Sequence, residues 1–168
     1  GLTISDACGD AGLTVSSSDG TPAGTCPIVI IRTYTVTDAC GNSSTATQTI
    51  HIDDQTAPTI SGSLTAISVE GCTQSDRPAA TNTLDYLRDN GLTISDACGD
   101  AGLTVSSNDG TPSGNCPITI IRTYTVRDAC LNSSTATQTI TIDDNTAPTI
   151  TGTLTAIPVE GCSEANRP

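Results

Sequence analysis

The chain has 168 residues and a formal net charge of −12, from 18 acidic and six basic residues, and it contains no Trp, Phe or Met. A large aromatic core is therefore excluded. Nucleic acid and anionic lipid are disfavoured as partners, because both require a basic footprint.

The sequence repeats itself. Residues 1–17, GLTISDACGDAGLTVSS, recur unchanged at 91–107, and a shift of 90 aligns 1–78 with 91–168, with 63 of 78 pairs identical. Solenoid repeats run to roughly 20–50 residues, so this period is too long for one. It suits one β-sandwich domain of about 100 residues per period. The segment DDQTAPTI (53–60) returns as DDNTAPTI (143–150), each time between strand-like runs, and reads as a junction. The expected organisation is the later part of one unit at 1–53, a whole unit at 54–143 and the opening of a third at 144–168. Twelve residues, AATNTLDYLRDN (79–90), complete two periods. The chain thus reads as a window on a longer polymer, or as one whose 144–168 segment completes the 1–53 segment of a neighbour by strand donation.

Within the whole unit, ISGSLTAISVEGC (60–72) predicts a first strand broken at a kink. Pro158 stands where the earlier copy has Ser68, and Pro is tolerated at sheet edges and bulges. TNTLDYLRDNG (81–91) has a Thr/Asn start and an Asn-Gly stop, and predicts a two-turn helix. LTVSSNDG (103–110) predicts a strand ended by an Asp-Gly turn. CPITIIRTYTV (116–126) is the longest apolar stretch and predicts a central strand, which RDACLNSS (127–134) turns into a hairpin. In SSTATQTITI (133–142), Ala136, Gln138, Ile140 and Ile142 alternate with Thr, the pattern of a half-buried strand. The predicted class is all-β: tandem immunoglobulin-like β-sandwich repeats of period 90, with one short helix and two disulfides each.

Four Cys per period, without CxxC or a repeated His, read as disulfides formed in an oxidising compartment outside the cytoplasm. Four Cys allow three pairings. Topology selects one of them. The first and last strands both run from the junction at 53–58 to the opposite end, and the strand 116–126 returns. Cys72 and Cys116 then share the far end, while Cys98 and Cys130 share the junction end. The expected bonds are Cys72–Cys116 and Cys98–Cys130, with Cys8–Cys40 in the earlier copy and Cys26 left for a cysteine upstream. The same geometry gathers Asp53, Asp54, Asp96, Asp100 and Asp128 near the junction as candidate calcium ligands, since calcium takes roughly six to eight oxygens. Asp also favours turns for its own backbone bonding.

Catalysis finds little support. His51 is the single His, its counterpart is Thr141, and no nucleophile–base or phosphate-cradling motif is present. Asp and Glu occur without the aromatic platforms that sugar sites normally offer. Without Lys, isopeptide cross-links to Asn are excluded. Asn42 and Asn132 open Asn-Ser-Ser sequons on an exposed turn.

The stretch RTYTVTDACGNSSTATQTIHIDDQTAPTI (32–60) resembles the hyalin-type, immunoglobulin-like repeats of Bacteroidota cell-surface adhesins. Tyr34 lies in the Tyr-containing strand, Asp38–Asn42 form the D-A-C-G-N turn, Thr45–Ile52 the Thr-rich strand and Asp54–Pro58 the junction. The second copy departs from the pattern with Leu131 in place of Gly41. The resemblance implies large repetitive surface adhesins secreted by the type 9 system, the SprB-type gliding adhesin among them. The expected role is an extracellular stalk or filament module. Its partners would be neighbouring repeats or identical chains, with surface glycans as an alternative ligand and strand-exchanged fibre assembly as an alternative role.

Overall fold

The computed structural model describes residues 1–161. Three strands come first: β1 (Thr14–Asp19), β2 (Ile28–Thr37) and β3 (Ser43–Ile52), forming an antiparallel sheet in that order. Then follow β4 (Thr59–Gly62), β5 (Ile67–Glu70), a 3-10 turn (Gln74–Asp76), helix α1 (Leu84–Asp89), β6 (Leu92–Ser95), β7 (Thr104–Asp109), β8 (Ile118–Arg127) and β9 (Ser133–Asp143). β4 pairs with β6, and a four-stranded sheet has the order β5-β9-β8-β7.

The broken first strand is a change of sheet. β4 lies antiparallel on β6, while β5 crosses to lie parallel on β9, with Ile67 opposite Ile140 and Glu70 opposite Asp143. β6 is a strand that the sequence reading did not find, because LTIS is short and carries only two apolar residues. Helix α1 is as expected. The Thr83 side chain accepts from the Tyr86 N–H, and Gly91 follows the helix at φ 111°, a left-handed value that suits Gly.

The core lies where the two-stranded sheet and α1 cover the four-stranded one. Leu64, Leu87, Leu92, Ile94, Tyr124 and Val126 form its upper part, and Ile120, Ile140 and Ile142 its lower part. Alternation accounts for which side chains enter: Ile120, Arg122, Tyr124 and Val126 on β8, and Gln138, Ile140 and Ile142 on β9. The polar intruders bond one another and backbone, except that one guanidinium nitrogen of Arg122 is buried without a partner. Gln138 donates to the Thr65 carbonyl (2.8 Å) and accepts from the hydroxyls of Tyr86 and Tyr124. Arg122, 2% exposed, donates to both carboxylate oxygens of Asp109 and to the Pro78 carbonyl. Arg77 reaches the same carboxylate.

The β1-β2-β3 sheet has the register of β7-β8-β9 shifted by 90: Tyr34 faces Ala46 as Tyr124 faces Ala136. Its burial differs sharply. Ile52 is 52% exposed, where Ile142 is 1% exposed, because among the described residues no strand pairs with β3 as β5 pairs with β9. Residues 144–161 form no strand, and Ile150, Leu154 and Ile157 are exposed.

Arg122 faces the interior while its counterpart Arg32 is half-exposed beside Asp19, so the two ion pairs should differ in worth. Arg122→Met should cost about 1–3 kcal/mol, because it removes charge-assisted bonds and leaves the partly buried Asp109 carboxylate to Arg77 alone. Arg32→Met should cost under about 1 kcal/mol. Urea denaturation of both variants measures the contrast. Arg122 holds the Asp109 carboxyl below its ordinary value of 3.8. A carboxylate whose folded pKa is depressed stabilises fully above its unfolded value, and loses that contribution as pH falls through the folded one. Acid titration of stability should therefore show a loss beginning near pH 4 and continuing below it, reduced in Arg122→Met.

Candidate functional site

The densest meeting of chemical groups is where the first sheet abuts the junction end of the second unit. Three connections converge there: the β1–β2 loop carrying Cys26, the β6–β7 turn carrying Cys98 and the β8–β9 turn carrying Cys130. The linker after β3 runs between them with Asp53 and Asp54. Together they line a cleft of about 470 Å³. The linker is seated by Pro58, which is fully buried.

Each turn is built by an Asp bonding its own backbone. Cys98 N–H donates to Asp96 Oδ1 (2.9 Å), as Cys8 N–H does to Asp6 (2.8 Å). In the hairpin turn both Asp128 oxygens accept from Asn132, one from its N–H and one from its side-chain amide, each at 2.8 Å. The same amide donates to the Asp54 carbonyl (2.9 Å), tying the hairpin to the linker. Asn42 repeats the bonds to Asp38, which hold the Asp38 carboxyl below its ordinary range. The Asn132 sequon amide is therefore already engaged and half-buried.

Cys26 and Cys130 are joined as a disulfide, with Cα atoms 5.0 Å apart and 104 residues between them in sequence. The expected Cys98–Cys130 bond is thus not formed. Topological reasoning put Cys98 and Cys130 at the correct end, and both line the cleft. It treated one unit in isolation and so missed Cys26, which the preceding sheet delivers to the same place. Cys72, Cys116, Cys8 and Cys40 are exposed thiols and not the expected Cys72–Cys116 and Cys8–Cys40 pairs.

Three of the remaining thiols, Cys72, Cys98 and Cys116, lie near carboxylates. Cys98 is bonded to Asp54, which raises its pKa above 9.0. Cys72 is raised too, chiefly by the charge of Asp144. Asp54 is itself lowered, first by the Thr56 N–H and then by Cys98. Thiols held protonated by acid neighbours are poor nucleophiles. His51, on β3, is exposed.

Of the five candidate calcium ligands, Asp53, Asp54, Asp96 and Asp128 line the cleft and Asp100 does not. Asp100 is paired with Arg88 (2.5 Å), whose guanidinium also donates to the Ile94 carbonyl. Asp128 is saturated by Asn132. Only Asp54 and Asp96 come together, alongside the Cys98 sulfur, and Asp96 Oδ2 is buried without a partner. Two carboxylates and a thiol do not fit the oxygen-rich shell that calcium needs. Asp53 sits apart, its Oδ1 3.1 Å from the Cys26 sulfur.

Sequence reasoning found the cysteines and aspartates of this region but missed the Asn132 bridge and the Arg88–Asp100 pair. The recurring Asp-x-x-x-Asn spacing at 38–42 and 128–132 was the available signal for the first.

Leu131 occupies the turn position of Gly41 with a left-handed φ of 73°, and its side chain is 69% exposed. A left-handed L-residue costs about 1–2 kcal/mol, and an exposed side chain offsets little of it. Leu131→Gly should stabilise the protein by about 1 kcal/mol, read as a higher midpoint in thermal or urea unfolding.

No curated protein matches the chain. Residues 2–52 match the family model of a HYR-like domain with 4 cysteines, a stretch that holds Cys8, Cys26 and Cys40 and ends with β3. The match supports a hyalin-repeat-type domain over that first sheet.

Proposed function

We propose that the chain is a stretch of tandem immunoglobulin-like β-sandwich units and serves as a non-catalytic structural module of an extracellular adhesin stalk or surface filament. The units are 1–53, 54–143 and 144–168, the first and last being partial. The observation that carries this reading is the pair of register-identical sheets, 90 residues apart, with the end of one fastened to the junction end of the next. The parallel pairing of Ile67–Glu70 with Ile140–Asp143 supports entry and exit at opposite ends of a 54–143 unit, and so a linear stack over side-by-side packing. All of the buried hydrophobics lie between Leu64 and Ile142, consistent with one complete unit. The HYR-like match over 2–52 and the Bacteroidota-type pattern of 32–60 point to a surface adhesin, and disulfide chemistry points to an extracellular setting. No helix among the described residues is long and apolar enough to cross a membrane.

A second reading is favoured by one observation. The exposed Ile150, Leu154 and Ile157 are the counterparts of Ile60, Leu64 and Ile67, which pack into the core. The first sheet lacks those partners. Strand exchange between chains would therefore complete both ends and yield a fibre.

Chains built with two, three and four 90-residue periods should lengthen by a constant increment in small-angle scattering. That increment should be at least the roughly 33 Å of a ten-residue strand. A maximum dimension that grows as the square root of repeat number would instead describe flexible beads and overturn the stalk reading.

A further inference from the structure

We propose that Cys72 and Cys116 are the receiving half of a covalent joint, and that they bond Cys8 and Cys40 of a second copy of the chain stacked beyond Asp144. The proposal rests on the stacked reading above and adds a bond pattern to it.

The formed joint supplies the template. Asp53 Oδ1 lies 3.1 Å from the sulfur of Cys26, which is bonded to Cys130. One period later, Asp143 Oδ1 lies 3.3 Å from the sulfur of Cys116, which has no bond. The counterpart of Cys130 is Cys40, in a turn with the same Asp–Asn bonding. Cys116 is therefore placed to take Cys40.

The second bond follows from a shared carboxylate. Cys98 rests on Asp54, and Cys72 approaches Asp144 at 3.8 Å. Asp54 and Asp144 are the same position one period apart. Superposing successive joints brings Cys72 and the counterpart of Cys98 onto one carboxylate, and in this chain that counterpart is Cys8. Each Asp of the Asp-Asp linker thus flanks one disulfide. In the formed joint Cys98 is the thiol that a counterpart of Cys72 would meet.

The surfaces favour a second copy as the occupant. Cys8, Cys40, Cys72 and Cys116 are all exposed. The first sheet presents an apolar groove of about 390 Å³ lined by Leu2, Ile4, Val15, Tyr34 and Val36. The segment beyond Asp144 presents Ile150, Leu154 and Ile157 uncovered. Counterparts of these two sets pack together within the 54–143 unit. Each disulfide formed removes two electrons and two protons from a pair of thiols. A low-molecular-weight disulfide accepts them and leaves as two thiols.

The test uses the whole 168-residue chain, prepared in ordinary and ¹⁵N-labelled forms, mixed, and oxidised with glutathione disulfide. Unreduced peptides are mapped by mass spectrometry. The expected result is Cys26–Cys130 within single chains, with Cys72–Cys8 and Cys116–Cys40 appearing as mixed light–heavy pairs. Non-reducing electrophoresis should show a ladder that collapses with reductant. The C72S/C116S double variant changes only exposed positions, so it should keep its circular dichroism and lose the ladder. Cys72–Cys116 or Cys8–Cys40 peptides, or chains that stay monomeric with Cys26–Cys130 intact, would overturn the proposal. If scattering lengths still grow linearly with repeat number in that event, covalent sealing falls while stacking survives.

Discussion

The parallel pairing of Ile67–Glu70 with Ile140–Asp143 is the constraint on which the rest of the structure depends. It sets the beginning of a unit beside its end, running the same way. It also seals the lower core, since Ile67 and Val69 cover Ile120, Ile140 and Ile142. Where the pairing is missing, as on β3, the equivalent Ile52 stays exposed.

A core with so few large side chains leaves little apolar area to hold one unit, and less to hold two together. The molecule offsets this with polar connections aimed at specific places. Arg122, Asp109, Arg77 and the Pro78 carbonyl fasten the irregular segment before the helix to the four-stranded sheet. Gln138 joins two tyrosines to the crossing between β4 and β5. Asn132 ties the β8–β9 turn to the linker after β3, and the Cys26–Cys130 bond ties it to the β1–β2 loop. The joint is thus built from turns, whose geometry Asp and Asn side chains fix locally, and it asks nothing of the core.

Much of the fold was legible in the sequence because its signals are local. The Thr-rich alternation of β9 named its inward residues, Gln138 included, and the Thr–Asn-Gly bracket named α1. The kink in the first strand was visible, but the switch of sheets was not, since partner choice is not written in strand periodicity. β6 was missed because four residues with two apolar positions fall below the threshold of any pattern. The site was half legible. Run direction placed Cys98, Cys130 and the linker aspartates at one end, as found. Partner assignment differs from the structure, in which Cys130 is joined to Cys26 of the β1–β2 loop. Arg88 could not be seen to claim Asp100 from spacing alone, because the helix and the turn meet only in three dimensions.

The central claim is that consecutive units are held in one fixed geometry by the joint. Its most direct test is the distance distribution between spin labels at the exposed, equivalent positions Thr47 and Thr137, introduced as noncanonical amino acids to leave the cysteines untouched. The account predicts a single narrow distance by pulsed electron paramagnetic resonance in the oxidised protein, broadening when Cys26–Cys130 is reduced. A broad distribution in the oxidised protein would contradict it.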